Sequence, residues 1–386
     1  MSNKIVKGFC LVMSHVLVAA VAVILTLMLS QEANLASNKL AQLENLLLTR
    51  FVDGADQKEL EDAAAHAMVA ALGDTWSYYI PADEYAAYLE QKNNAYVGIG
   101  VTIQAAEDGF HIQKLSAGGP AEEAGITVGD IIVAVDGTDV VGMRADDCRK
   151  LVQGEAGTQV QITVLRAGER TSFSVKRGTV KTPVATATML EGNIGLVTIV
   201  NFNTNCASET IAAVEQLREQ GAVALIFDVR NNGGGYADEM VKVLDHLLPE
   251  GQLFRTVNYK GQESVDWSDE DCVELPMAVL VNGYSYSAAE FFAVALHEYE
   301  WATVVGTQTT GKGYFQVVYE LDDGSAVGVS IGKYFTPSGV SLEGVGITPD
   351  IPVEVDQETF NAIYAGILDP MKDPQILAAI AALKGQ

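Results

Sequence analysis

The sequence predicts a multidomain protein of mixed α+β and α/β structure. Its parts are an N-terminal transmembrane helix, a helical N-terminal segment, a β-barrel-like domain, and an α/β core on a largely parallel sheet. Three patterns carry this. Leu11 to Leu29 is a run of nineteen residues whose only ionisable side chain is His15. From Asn94 to Arg177, short β-rich runs alternate with Gly and Asp turns. From Ile194 to Glu300, apolar strand-like runs alternate with helical ones, the order that builds a parallel sheet covered by helices.

The elements follow in chain order. At 1.5 Å per residue, Leu11–Leu29 makes a helix about 28 Å long against roughly 30 Å of hydrocarbon, so residues 1–33 read as a cytoplasmic stub and membrane anchor. Lys4 and Lys7 before the span place the amino terminus in the cytoplasm and the remaining chain outside. A cleaved signal peptide fits less well, because the apolar run is long for one and no clear A-x-A site follows. Residues 34–93 form the helical region, with Leu40, Leu43, Leu46 and Leu47 at helical spacing; an amphipathic core helix is the default reading and a homodimer contact the alternative. The barrel-like domain spans 94–178. In the core, 179–356, the strands are Ile194–Val200, Val223–Asp228 and Met277–Val281, and the helices Ser208–Gln220, Ala237–Leu248 and Ala288–Glu300. Gly251–Glu274 is the least regular part, a hairpin or a lid. Residues 357–386 are a C-terminal helical segment in which Asp373-Pro374-Gln375 starts a short helix.

Composition excludes several functions. The 386 residues carry 50 acidic against 24 basic side chains, a formal charge of −26. Phosphate contacts need clustered Lys and Arg, so no nucleic-acid partner is expected, and the acidity opposes lying flat on anionic lipid. Four cysteines are too few for a disulfide framework; with Cys10 at the membrane edge, Cys148, Cys206 and Cys272 form an odd set, so at least one is free. Neither these nor the five histidines are spaced as ligands, so no metal and no cofactor is expected.

The chemistry gathers at Val281 to Glu290 and Gly311 to Gln316. Ser287 lies between an apolar strand, Met277–Val281, and an apolar helix beginning at Ala288. A hydroxyl at such a turn faces the helix's first amides, whose partial positive charge favours a developing oxyanion. It is also a favoured helix cap, and Glu290 completes a capping box. Residues 287 to 290 leave both readings open.

Lys312 tips the balance toward chemistry. A serine hydroxyl reacts when a base takes its proton, and a lysine serves only if its pKa falls from about 10.4 toward roughly 7–8. A drop of about 3 units costs on the order of 4 kcal/mol, which demands a desolvated site. Val304, Val305, Tyr314, Phe315, Val317 and Val318 surround Lys312 in sequence, and no acidic residue lies between Trp301 and Val318. The same segment, Gly306 to Gly313, matches G-x-x-x-x-G-K, but Gly313 replaces the Ser or Thr that holds magnesium, and the following residues are β-rich rather than helical. A phosphate-binding loop is therefore rejected. A Ser–His–Asp triad would need a distant histidine such as His111 or His246, since His297 at the far end of the serine helix would lie more than about 10 Å away.

These residues resemble the carboxy-terminal processing proteases, tail-specific serine proteases with an embedded PDZ domain and a Ser–Lys pair. The resemblance covers nearly all of the chain after the apolar run. Asp74-Thr75-Trp76-Ser77-Tyr78-Tyr79 is similar to the family's N-terminal signature, Asp228 to Gly235 to its glycine-rich loop, and Gly346 to Ile351 to its closing motif. It implies Ser287 as nucleophile, Lys312 as general base and Gln316 as the residue orienting the lysine. Residues four apart in a straight strand are about 13 Å distant, so a Lys312–Gln316 contact needs a bend, for which Gly313 is the candidate. Three successive glycines after Asp228 let backbone amides approach a reacting carbonyl, and Gly234, or Gly235, together with Ala288 is assigned the oxyanion hole.

The segment from Asn94 to Arg177 is itself similar to a PDZ domain, carried by Val97 to Val101, Gly118 to Ile126 and Val128 to Gly137. Its implied peptide site is Gly98-Ile99-Gly100, whose amides would hold a terminal carboxylate while the peptide pairs as an extra strand. Arg144–Val152 is the expected flanking helix. The resemblance thus implies a serine endopeptidase that takes proteins or peptides with free C-termini, outside the cytoplasm. A peptide-binding scaffold without catalysis is the alternative. The sequence departs from the family at Tyr284 and Tyr286, where small residues are usual, at Ala289 for serine, and at Gly233 for proline.

Overall fold

The computed structural model describes residues 38–384. The predicted anchor, Leu11–Leu29, lies outside the described residues; among those described, no helix is long and apolar enough to cross a membrane. The chain divides into one unit ending at Pro81 and another beginning at Ala82.

The first unit carries two helices, Lys39–Arg50 and Gln57–Ala70, and a short strand, Tyr78–Ile80. Asn38 Oδ1 caps the first helix by accepting from the Leu40 amide at 3.0 Å, and Asp56 caps the second by accepting from Glu59. Neither helix contains a buried residue, and Leu40, Leu43 and Leu46 are exposed.

In the second unit the helix Ala82–Lys92 leads into Ala95–Gly98, which pairs antiparallel with Gly178–Lys181. That two-stranded ribbon marks where the chain enters and leaves the barrel-like domain. Within it, Val101–Ala106, Gly109–Leu115, Ile131–Val135, Gln159–Arg166 and Glu169–Lys176 form one antiparallel sheet in that order. Helix Ala145–Val152 covers a core that includes Ile99, Phe110, Ile132 and Ile162.

The α/β core is a six-stranded sheet in the order Ala185–Leu190, Ile194–Ile199, Ala224–Asp228, Met277–Val281, Ala302–Gly306, Ile351–Pro352. The first pair is antiparallel and the remaining four are parallel, so the sheet is largely parallel as expected. Side chains alternate across it. Leu225, Phe227, Met277, Val279 and Val281 face helices Cys206–Glu219, Ala237–Leu247 and Ala288–Glu298, while Ala224, Ile226, Ala278 and Leu280 face helix Pro374–Leu383. Burial on both faces explains why these strands read as unbroken apolar runs rather than alternating ones.

The irregular stretch resolves into the hairpin of the two alternatives. Gly251–Asn258 pairs with Glu263–Ser268, and the former also pairs with Ala326–Phe335, which in turn pairs with Tyr314–Glu320. Asp373 caps the last helix with Pro374 at its first position, as the Asp-Pro-Gln signature predicts.

Candidate active site

The strand Met277–Val281 is buried at every position and delivers the chain to a tight turn at its carboxyl end. Ser285 Oγ donates to Val229 O at 2.8 Å and accepts from the Asn282 amide at 3.0 Å, which closes the turn on itself and on the neighbouring strand. Asn282 and Asn231 exchange bonds: the Asn231 amide donates to Asn282 Oδ1 at 3.0 Å and Asn282 Nδ2 to Asn231 Oδ1 at 2.9 Å. Two loops that begin on adjacent strands are thereby joined.

Ser287 emerges from this turn with φ 60° and ψ −127°. That conformation is costly for a residue with a Cβ, on the order of 1–3 kcal/mol, and persists only where the surroundings enforce it. Glu290 supplies the enforcement. Its carboxylate is fully buried and accepts from the Ser287 amide at 2.9 Å, completing the predicted capping box. It also accepts from the Lys312 amide at 2.8 Å, the Gly311 amide at 2.7 Å and Thr309 Oγ1 at 2.5 Å. One carboxylate therefore binds the serine turn to the lysine loop. Burial pushes its pKa above the ordinary value, opposed by the bonds from Thr309, Lys312, Gly311 and Ser287. Sequence reading saw only the cap; the missing signal was the loop that comes back from position 309 onward.

Lys312 is half-buried, with Nζ 5.9 Å from the centroid of the Tyr286 ring. The residues after it form the strand Tyr314–Glu320, not a helix, in keeping with rejection of a phosphate-binding loop. Gln316 pairs with Ser330 across the sheet, and its Nε2 donates to Ser330 Oγ at 2.9 Å and to Tyr314 O at 3.3 Å. Gly313 lies in the irregular segment just before the strand, and within the strand the register shifts between Phe315 and Gln316. Gly313 is needed for close approach, since a methyl there would lie 2.8 Å from the Glu343 amide nitrogen, and its own amide donates to Glu343.

The glycine-rich loop lies directly on the serine turn. A methyl built on Gly234 would sit 2.8 Å from Ser287 Cβ and 2.9 Å from the Ala288 nitrogen, and the residue has φ 83°. Only glycine satisfies both demands. The structure thus brings Gly234, Ala288 and Ser287 together. The Gly234 amide, assigned to the oxyanion hole, donates here to Asn232 Oδ1 at 2.8 Å. Ala288 is buried at the first position of the helix.

Behind this loop lies a charged cluster that sequence reading missed. Arg230 is buried and donates to both carboxylate oxygens of Asp228, at 2.9 and 2.6 Å, and to Asp373 and Gln375, each at 2.8 Å. Burial alone would lower the guanidinium pKa; Asp228 and then Asp373 more than reverse that and hold it raised. The loop's root is tied to Asp373, the cap of the last helix, 143 residues later.

In the barrel-like domain, Gly98, Ile99 and Gly100 border a cavity of about 650 Å³ whose far wall is Ala145, Cys148, Arg149 and Val152. The carbonyls of Ile99 and Gly100 are taken by the amides of Ala121 and Ser116, at 2.8 and 2.9 Å. The expected loop and flanking helix thus face one groove. Cys148, Cys206 and Cys272 are all free, and burial pushes the Cys206 thiol up to about 12.

A strained serine at a strand-to-helix turn, stapled to a lysine loop and preceded by a peptide-sized groove, defines the class of a serine-type peptidase. Comparison with known proteins agrees. Residues 193–353 match peptidase family S41, and residues 111–166 match the PDZ domain. The carboxy-terminal processing protease CtpA of Bacillus subtilis strain 168 is 31% identical over 321 residues, 82% of this chain and 69% of that protein. A "Probable CtpA-like serine protease" of Staphylococcus haemolyticus strain JCSC1435 is 34% identical over 304 residues, 78% of this chain and 61% of that protein. The solved structure of a photosystem II D1 C-terminal processing protease aligns at 30% identity over 82% of this chain and 87% of that one, with a TM-score of 0.47. The chain belongs to peptidase family S41, among the C-terminal processing proteases with a PDZ domain.

Proposed function

We propose that this chain is a membrane-anchored endopeptidase working outside the cytoplasm, in which the PDZ groove takes free C-terminal tails and Ser287 cleaves them. Lys312, as the free amine, removes the Ser287 proton; Ser287 Oγ attacks the scissile carbonyl; the resulting ammonium returns the proton to the leaving amine; water then resolves the acyl-enzyme. The amides of Gly234 and Ala288 stabilise the oxyanion, and Gln316 orients the lysine. The observation that carries this reading is Glu290, whose four accepted bonds hold the nucleophile's turn and the base's loop as one piece.

The Gly234 amide must exchange Asn232 Oδ1 for the substrate oxygen, so the present arrangement fits a resting form that substrate completes. The 19-residue uncharged run at Leu11–Leu29 and the lysines before it support the anchor and its orientation.

Incubation of the chain with a tailed, unfolded protein tests the proposal. Ser287→Ala is expected to lower cleavage by on the order of 10⁴-fold or more while leaving the circular dichroism spectrum intact. Retained cleavage in that variant overturns the nucleophile assignment.

A further inference from the structure

Tyr286 precedes Ser287, and its backbone is fastened to the glycine-rich loop, its N–H donating to Asn232 O at 3.1 Å. With that direction fixed, the phenol lies against Gly233. A methyl group built on Gly233 would be 2.5 Å from Tyr286 Oη, 2.7 Å from Cζ and 3.2 Å from Cε1. Gly233 is not among the glycines of positive φ, so it is small for the sake of space rather than for a turn. The same ring reaches toward Lys312, whose Nζ is 5.9 Å from its centroid. It is only half-buried, so part of it is open to solvent.

We propose that Tyr286 sets the size of the substrate side chain accepted beside the scissile bond, and that Gly233 is the notch that seats it. This rests on Ser287 being the nucleophile. A carbonyl carbon must come within about 3–3.5 Å of Ser287 Oγ, and it does so one residue from a phenol that reaches from the glycine-rich loop toward Lys312. The volume taken by the ring is denied to the residue whose bond is cut. The preferred substrate class therefore has a small residue, glycine, alanine or serine, at one position flanking that bond. Gly233 and Tyr286 are complementary in size, so a side chain at 233 drives the ring into the cleft.

The test is kcat/KM for a peptide series in which each flanking residue is varied from Gly and Ala to Leu and Phe, measured for wild type, Tyr286→Ala, Gly233→Ala and the double variant. A site that gains room for a larger side chain changes discrimination by about 10–200-fold. Tyr286→Ala is expected to raise the Leu-to-Ala ratio by that factor at one flanking position, and Gly233→Ala to lower it. The double variant is expected to behave as Tyr286→Ala alone, because the notch matters only while the ring is present. An unchanged ratio in Tyr286→Ala, or equal loss on all peptides, overturns the proposal. If Tyr286→Ala does not fold, Gly233→Ala decides alone, and an unchanged ratio there overturns it. Fluorophosphonate labelling of Ser287 in the wild type is scored separately; its absence strikes the nucleophile assignment and not the size rule.

Discussion

Two glycine loops border the two proposed peptide sites, and they differ in how much side-chain support they receive. In Gly98-Ile99-Gly100 the Ile99 and Gly100 carbonyls accept from the Ala121 and Ser116 amides, and Gly98 pairs with Gly178 across the entry ribbon. Gly233-Gly234-Gly235 is also held by backbone, the Phe202 amide donating to Gly234 O at 2.9 Å, but its root adds side chains from distant parts of the chain. Asn232 Nδ2 donates to Ile199 O, Asn282 bonds Asn231 across two strands, and Arg230 reaches Asp373. A loop that offers amides to an extended tail needs only its backbone exposed, and small shifts cost it little. A loop that supports bond cleavage must hold position far more tightly, because misplacement by about 1 Å costs on the order of 10²-fold in rate. Buried, charged and fully partnered groups provide that stiffness, at the cost of intolerance to substitution.

Five measurements bear on this contrast, from the largest effect to the smallest. Arg230→Met leaves Asp228 and Asp373 buried without their cation and is expected to cost about 3–5 kcal/mol in urea unfolding. A cost near zero would mean that the core loop is no more stiffly held than the PDZ loop. Glu290→Gln keeps the shape but turns an NH₂ group toward the donors that the carboxylate serves, so stability is expected to fall by about 1–3 kcal/mol for each unsatisfied donor. Fluorophosphonate labelling of Ser287 should slow in parallel, and an unchanged labelling rate would uncouple the staple from the nucleophile.

Third comes a matched pair. Gly234→Ala combines φ 83° with a methyl 2.8 Å from Ser287 Cβ, whereas Gly100→Ala combines φ 76° with a methyl 3.1 Å from Ser116 Cβ. Both carry left-handed strain of roughly 1–2 kcal/mol. The former is expected to lower kcat and the latter to raise KM for tailed substrates; the reverse split would invert the roles of the two loops.

The fourth concerns acid. Asp130 is buried and would be raised by that burial, but the Arg166 guanidinium, bonded at 2.7 and 2.6 Å, and the Thr127 amide outweigh it and hold its carboxyl below the usual 3.8. A depressed acid stabilises the fold above its unfolded pKa and loses that contribution as pH falls through the folded one. PDZ stability should therefore decline below about pH 4 in the wild type, with a flatter profile in Asp130→Asn by tryptophan-independent circular dichroism. Last, Arg149→Ala removes an exposed pair with Asp146, 66% and 62% accessible, and is expected to change stability by about 1 kcal/mol or less. Any effect on tail binding then reports the groove wall rather than folding.

Much of this was legible in the chain itself. The unbroken apolar runs at Ala224–Asp228 and Met277–Val281 announced strands buried on both faces, Asp373-Pro374 announced the last helix, and Ser287 with Glu290 announced a cap. These signals are local, because strand burial, helix starts and caps depend on residues within one or two turns of each other. Glu290 shows where such reading stops. Its spacing from Ser287 is visible as a capping box, yet its bonds to Thr309, Gly311 and Lys312 depend on a loop that returns about one strand away.

The sequence by itself determined the order of strands and helices in the α/β core, a serine at a strand-to-helix turn, a glycine-flanked lysine downstream, and a strongly acidic composition. Only the tertiary structure decided that Glu290 joins the serine turn to the lysine loop, that Arg230 ties the glycine-rich loop to the last helix, and that Gly233 is small because Tyr286 lies on it. The reason is physical: periodicity and capping act between near neighbours along the chain, whereas a hydrogen bond or a steric fit needs atoms about 3–4 Å apart in space, and that proximity exists only once the sheet has set its register.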